Sequence, residues 1–396
     1  MILGVDASRA AGPRAGVGRV LEYLLRSWSR QELPFEQVRV LSSAPISDLP
    51  DDDRLVPEVV PGGGPGPWWQ LTRLRPRAQE VDVFFAPYTL PPGFRGRSVV
   101  YNLGIYEGPY AIPGWRARAH SQRMARSARR ADRVLAICPT NKADLVRHYG
   151  VPAGKISVVW PGLDPRFRPL RAGEEESTWE AIEGVLGGRD PYFLFVGKLS
   201  RRRNVPALLE AFAEVAGSRP DLRLLLLGPN TANVPVDRIT ADLRLEDRVL
   251  HRVDVGRENL VLLYRGARAF VMPSESEGFS LTILEAMASG CPTLTLKGAP
   301  LGVLEYLAGP RDHTGGGPVV EASNARAASL ASALHRLAHD DELCAELGRR
   351  GERFAATFPS WDDTAAEVME ALAEVAGSER SRLAAGAAGH HRGRMS

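Results

Sequence analysis

Tyr192-Phe-Leu-Phe-Val-Gly-Lys-Leu-Ser-Arg-Arg-Arg-Asn-Val-Pro-Ala-Leu-Leu-Glu-Ala-Phe212 reads as a strand, a basic loop and a helix. Tyr192–Val196 is an unbroken apolar run that Gly197 ends, the pattern of a buried strand. Val205–Val215 then turns to helical spacing. Further apolar runs follow at Leu222–Leu227, Val249–Leu250, Ala269–Met272 and Thr293–Leu296. Strands alternating with helices predict a mostly parallel sheet with both faces covered. The same scheme fills the first half. Ile2–Ala7 is a strand, Gly12, Gly16 and Gly18 punctuate a loop, and Val17, Leu21, Leu24, Leu25 and Trp28 mark a helix. Apolar runs at Val38–Leu41, Val81–Phe85, Ser98–Tyr101, Val134–Ile137 and Ser157–Trp160 continue it. The expected fold class is therefore α/β, with two doubly wound, Rossmann-like domains at residues 1–165 and 191–357. The Pro/Gly break at Trp160–Pro165 and the polar stretch after it make 166–190 the expected linker. Helical spacing covers Ala325–His339, Asp341–Ala356 and Trp361–Val375, and 377–396, without periodicity, is expected to be a disordered tail.

Composition bounds the function. The chain has 396 residues, 44% apolar and 24% charged, ordinary values for globular proteins with room for two cores. A net charge of +3, from 50 cations and 47 anions, is too balanced for bulk nucleic-acid binding. Lysine supplies only four of the cations: Lys142, Lys155, Lys198 and Lys297. Cys138, Cys291 and Cys344 are too few and too far apart for a disulfide framework or a metal pair. No apolar run approaches a membrane span, and Asp6 comes too early for a signal peptide, so a cytoplasmic location is expected.

The chemistry concentrates in Glu277-Gly-Phe-Ser-Leu-Thr-Ile-Leu-Glu285. A helix is expected to start near Ser280 and close before Gly290 and Pro292. Its other residues are apolar nearly all round, so Glu285 is a carboxylate carried into a buried helix, about 7–8 Å along the axis from Ser280. A buried carboxylate needs donors, and sugar hydroxyls supply them. The helix start offers free N–H groups and a positive dipole end to an anion. The segment thus has the layout of a nucleotide sugar: hexose at Glu277, diphosphate at the helix tip, ribose at Glu285. Spacing alone fits equally a loop carboxylate and a solvated helix carboxylate. In the basic loop, Lys198 and Arg203 are placed to flank a diphosphate at a strand's C-terminal end. Gly16-Val-Gly-Arg19 permits close backbone approach, but Leu21 removes the third glycine of a dinucleotide fingerprint.

Together these stretches resemble the retaining GT-B glycosyltransferases of family 4. The glutamate pair, with Met272-Pro-Ser274 before it, is similar to the E-x7-E motif, and Gly197–Phe212 to the phosphate-binding strand–loop–helix. Weaker echoes are Ala131–Ile137, Tyr149–Pro152, Ile156–Asp164 and Phe358–Trp361. The resemblance implies two Rossmann-like domains facing a central cleft, the first on the acceptor side, and a helix over 358–376 crossing back to that first domain. It places Gly16 and Gly197 near the diphosphate, Lys198 and Arg203 on it, Glu277 at the hexose and Glu285 at the ribose. Gly278, Phe279, Ser280 and Leu281 would meet the donor through their backbone. It implies transfer of a hexosyl group, mannose-like by weak analogy, from a nucleoside diphosphate sugar to an acceptor hydroxyl, with retention, no metal and no cofactor. Two departures stand out. The family often has Arg at the place of Lys198 and Lys at that of Arg203. It often has His-Asp where Tyr101-Asn-Leu-Gly104 stands, which makes Asn102 the candidate for the hexose-touching position. Asn102 cannot take a proton, so a non-catalytic donor-binding partner subunit is an alternative, as is a nucleotide-sugar epimerase of the same architecture.

Asp51-Asp52-Asp53 lies in a polar, proline-flanked stretch and is not expected to bind metal. Arg116–Arg133 carries seven arginines, which reads as a solvated helix face or as a contact for an anionic acceptor or a membrane surface.

Overall fold

The computed structural model describes residues 1–12, 16–62, 64, 66–105, 114–306 and 317–390, with the backbone alone over 378–390. The chain forms two compact units: Met1–Gly162 with Pro359–Ser396, and Leu163–Phe358.

The first unit holds β1 (Ile2–Asp6), β2 (Gln37–Ser42), β3 (Leu55–Val59), β4 (Val83–Pro87), β5 (Ser98–Asn102), β6 (Arg133–Ala136) and β7 (Ile156–Val158). The spatial order is β3-β2-β1-β4-β5-β6-β7, every pairing parallel. β4 and β5 are buried along their whole length, as strands covered on both faces must be. The helices are α1 (Val17–Trp28), α2 (Pro67–Trp69), α3 (Arg75–Ala78), α4 (Trp115–Arg130) and α5 (Pro139–Tyr149). α1 buries Leu21, Leu24, Leu25 and Trp28 of its predicted apolar stripe and Val20 besides, while Val17 is half-buried.

The second unit holds α6 (Glu175–Leu186), β8 (Tyr192–Val196), α7 (Val205–Ser218), β9 (Arg223–Leu227), α8 (Val236–Asp242), β10 (Val249–Arg252), α9 (Arg257–Gly266), β11 (Ala269–Val271), α10 (Leu281–Ala288), β12 (Thr293–Leu296), β13 (Val320–Ala322), α11 (Ala327–His339) and α12 (Asp341–Ala355). Its order, β10-β9-β8-β11-β12-β13, is again all parallel. In both sheets the strand order reverses at the first strand. Connections therefore leave to opposite sides at β1/β4 and at β8/β11, which opens a crevice at the strands' C-terminal ends.

The final helix, α13 (Trp361–His390), belongs to the first unit. Trp361 stacks on Tyr23 at 4.5 Å, the Trp28 indole donates to Ala365 O, and Arg97 donates to Ala376 O. Gly162 is required at its entry, because a Cβ there would lie 2.4 Å from the Trp361 backbone nitrogen.

The structure corrects two readings of the sequence. Residues 166–190 are not a bare linker, since α6 lies within them and belongs to the second unit. Only Thr178, Ile182 and Leu186 of α6 are buried, a narrow stripe that its glutamates mask. The expected tail from 377 is helical as far as His390, where alanine-rich sequence favours helix, and 391–396 lie outside the described residues. Two edge strands carried no apolar run: β3 is interrupted by Pro57 and Glu58, and β13 is only three residues long.

Candidate functional site

In the second unit, β8 ends at Gly197, whose φ is +152°. A Cβ at Gly197 would sit 2.3 Å from Arg203 Nη1, and one at Gly228 2.3 Å from Gly197 O. The two glycines let backbone and guanidinium close in at the β8 end of the crevice. The loop makes one 3-10 turn, Arg201–Arg203, and reaches α7 through Asn204, whose φ is +49°. Asn204 Nδ2 donates to Pro273 O and the Glu275 amide to Arg202 O, which ties this loop to the one after β11.

Glu277 lies at the centre of that tie. Its Oε1 accepts from Arg202 Nη1 at 2.6 Å, Arg203 Nε at 2.8 Å and Ser274 Oγ at 3.0 Å, and its Oε2 from Arg202 Nη2 at 3.0 Å. Arg202 also donates to Ser276 O. Burial alone would raise the Glu277 pKa. The charges and hydrogen bonds of Arg203 and Arg202 outweigh it and hold the carboxyl at about 2. Four protein donors on one carboxylate leave Oε2 as its freer oxygen. Arg203 gives Nε to Glu277 and Nη1 to Lys198 O. Among the described residues Nη2 of Arg203 has no partner, nor does the exposed Lys198 ammonium.

Past Glu277, Ser280 caps α10 with φ +76° and ψ +75°, a left-handed conformation that disfavours a non-glycine residue. Backbone strain of this kind gathers at functional sites. No side chain caps α10, so the N–H groups of its first turn have no side-chain acceptor from the cap residue. Phe279 is in the core, its ring edge-on to Phe358 at 5.9 Å, and its backbone carbonyl accepts from Val303 N at 2.9 Å. Gly278 and Leu281 are half-buried. Glu285 is 4% exposed, and its Oε2 accepts from the Tyr264 hydroxyl at 3.4 Å. Ribose is therefore not the one partner the sequence had left it.

The structure brings Gly197, Lys198, Arg203, Glu277 and Ser280 to the C-terminal edge at β8 and β11, and it adds Arg202 and Ser274. Nothing in the sequence singled out Arg202 from its arginine neighbours. Gly16 caps α1 in the first unit with φ +48° and open space where a Cβ would go. Asn102 differs from expectation. It is fully buried, its Oδ1 accepts from Gly104 N at 3.0 Å and Asn141 Nδ2 at 2.9 Å, and its Nδ2 has no partner among the described residues. The pairing with Asn141, at the start of α5, was not legible from spacing. The arginines of α4 lie on its exposed face, with Arg116, Arg118, Arg126, Arg129 and Arg130 exposed and Arg123 half-buried, and several of them find partners. Arg123 donates to Gln70 Oε1, Arg129 to Tyr149 O, Arg130 to Phe94 O, and Arg133, at the start of β6, pairs with Glu374. Asp52 is bound by Arg54, not arranged for metal. Among the described residues no three His, Cys, Asp or Glu side chains gather as a metal set.

Comparison with known proteins settles the family. The model of glycosyl transferases group 1 matches residues 180–354, and that of glycosyltransferase family 4 matches residues 14–167. The chain belongs to the family 4 glycosyltransferases. D-inositol 3-phosphate glycosyltransferases of Streptomyces avermitilis and Streptomyces coelicolor are each 30% identical, over 298 and 304 residues. Each alignment takes in 72% of this chain and 60% and 63% of those proteins, so the chain spans under two thirds of their length. The sucrose-phosphate synthase of Thermosynechococcus elongatus superposes with a TM-score of 0.73 at 18% identity, over 97% of this chain and 99% of that one. Anabaena HepE in complex with UDP and glucose gives 0.71 at 17% identity, over 94% and 99%. These neighbours establish the GT-B fold for this family 4 chain.

Proposed function

We propose that the protein transfers a hexosyl group from a nucleoside diphosphate sugar to an acceptor hydroxyl, with retention and without a metal. The arrangement at Arg203 carries this reading. Its guanidinium is clamped between Gly197 and Glu277 with Nη2 free, beside the exposed Lys198 ammonium and the uncapped start of α10. A forked donor, a point charge and a helix N-terminus together suit a diphosphate. As the sugar–phosphate bond breaks, charge grows on the departing diphosphate, and donors fixed beforehand stabilise it without reorganisation. Oε2 of Glu277 is left to orient the hexose, and no protein carboxylate attacks it. HepE holds UDP and glucose, and the inositol phosphate relatives pair the transfer with a phosphorylated polyol. A hexose donor and a phosphate-bearing polyol acceptor are the classes adopted here by that analogy; the mannose preference rests on weak analogy alone.

The test is turnover of UDP- and GDP-hexoses with and without acceptor. Saturating chelator is expected to leave the rate unchanged, and a strict need for magnesium or manganese would overturn the metal-free reading. One observation favours the partner-subunit alternative: Asn102 is inside the first unit, occupied by Asn141 and Gly104. Asn102→Ala is accordingly expected to lower thermal stability, because it strips two buried donors of their acceptor. Unchanged stability with an altered sugar preference would return Asn102 to the donor. A parent that binds nucleotide yet never turns over would make the partner subunit the better reading.

A further inference from the structure

α11 buries Leu330, Leu334 and Leu337 and turns His335 and His339 to water. Residues four apart share one helix face, their Cβ atoms about 5–6 Å from each other. The two imidazoles lie over one another there, with ring centroids 4.2 Å apart and planes inclined by 19°. Nδ1 of His339 lies 3.0 Å from His335 O. A carbonyl oxygen only accepts, so Nδ1 carries the proton and Nε2 keeps a bare lone pair. A bond of this kind fixes the tautomer and ring orientation of metal-ligating histidines. Among the described residues the His335 ring makes no hydrogen bond or ion pair, so it can offer a nitrogen to a ligand as well.

The end of α11 is held in place. Arg268 Nε donates to Leu337 O at 2.7 Å, and Arg219 donates to Ala338 O. Arg219 precedes β9 and Arg268 precedes β11, so the histidines stand at the N-terminal edge of the second sheet. The loops that carry Arg203 and Glu277 leave the opposite edge. Asp221 and Asp341 neutralise Arg219 and Arg268. Asp340, beside His339, caps α12 by accepting from Leu343 N at 2.8 Å, and its charge favours a cation. Arg336 opposes one: it is exposed and, among the described residues, has no ion pair.

We propose that His335 and His339 form a binding site for a divalent first-row transition cation, separate from the crevice. Imidazole suits copper, nickel and zinc, whereas magnesium and calcium take oxygen ligands. A cation about 2.0–2.1 Å from each nitrogen uses two adjacent positions of its shell, and water fills the others. The exposed rings reach that separation by side-chain rotation, while the backbone beneath them stays pinned by Arg219 and Arg268. Affinity is expected to be highest for Cu²⁺, then Ni²⁺ and Zn²⁺. A cation that joins one turn of the folded helix to the next stabilises the fold by mass action. It lies away from the crevice and takes no part in the transfer.

The test is calorimetric titration of the full chain with Cu²⁺ and Zn²⁺ at pH 7.5. His390 and His391 are a second pair in the sequence, so the chain carries His390→Gln and His391→Gln throughout. One equivalent of Cu²⁺ is expected to bind, more tightly than Zn²⁺, and Mg²⁺ not at all. His335→Gln and His339→Gln are each expected to lower the affinity roughly 10²-fold, because the second ligand acts at high effective concentration. Arg336→Gln is expected to raise it several-fold by removing a like charge. Paramagnetic resonance of the Cu²⁺-loaded chain is expected to show two coupled imidazole nitrogens, and one in either single variant. The substituted positions are exposed and glutamine favours helix, so circular dichroism is expected to be unchanged. Absence of a stoichiometric Cu²⁺ site, or affinity equal to the parent's in both single histidine variants, overturns the proposal. Neither measurement needs turnover, so a failed search for donor and acceptor would sink the transferase reading and leave this one standing.

Discussion

Glu277→Ala is expected to cost about 3–5 kcal/mol of stability, because it removes the partly buried carboxylate that both Arg202 and Arg203 pair with. The lower end applies, since their side chains keep 23% and 14% of their surface in water. Glu277→Gln is the milder change. It keeps one acceptor oxygen but sets an amide N–H₂ against a guanidinium. Its main effect is expected in turnover, lowered by about 10²–10³-fold, as when one preorganised donor to a developing charge is misplaced. Stability is read by denaturant titration and turnover with the true donor. A Glu277→Gln protein that turns over normally would mean that the clamp on Arg203 is structural only and that the hexose is oriented by other groups.

The same residue sets a pH dependence. Glu277 has a pKa of about 2 in the fold against an ordinary 4.5, so its contribution is whole above pH 4.5 and is lost as pH falls toward 2. The acid limb of the stability profile is expected to flatten in Glu277→Gln, which has nothing there to protonate.

The architecture was legible because interior strands such as β4, β5 and β8 are continuous apolar runs. A strand covered on both faces has no alternative pattern. Edge strands β3 and β13 escaped because one side of each needs no burial. At the site, the spacing of Glu277 and Glu285 and the cations at 198 and 203 were visible as residue types. The partners of Glu277 were not. Whether a carboxylate meets a ligand or two guanidiniums depends on how the loops after β8 and β11 approach, and that follows from Gly197, Gly228 and Asn204 in backbone conformations no motif announces. Ser280 carried a weak signal: a helix start that follows glycine and phenylalanine but uses serine where a left-handed backbone is needed. Asn102 was read by position in a family pattern, and a position does not reveal that Asn141 occupies its oxygen.

Glu285→Ala is expected to weaken binding of the bare nucleoside diphosphate, UDP or GDP, by about 10- to 160-fold. That corresponds to about 1.5–3 kcal/mol for hydrogen bonds to a charged acceptor. The competing account is that Glu285 serves Tyr264 alone, since the hydroxyl lies 3.4 Å from Oε2. At that length the bond is weak, so the hydroxyl alone holds the carboxylate loosely. Tyr264 is anchored instead by its ring, edge-on to Phe167 at 5.8 Å and Phe270 at 5.6 Å. Tyr264→Phe keeps those contacts and removes only the hydroxyl. It is therefore expected to change nucleotide affinity little, while Glu285→Ala and Glu285→Gln both lower it, Ala the more. Calorimetric titration of the three variants separates the accounts. If Glu285→Ala binds the nucleoside diphosphate as the parent does, the ribose assignment falls. If Tyr264→Phe loses as much affinity as Glu285→Ala, the hydroxyl is what orients the carboxylate, and the two act on the ribose as one unit.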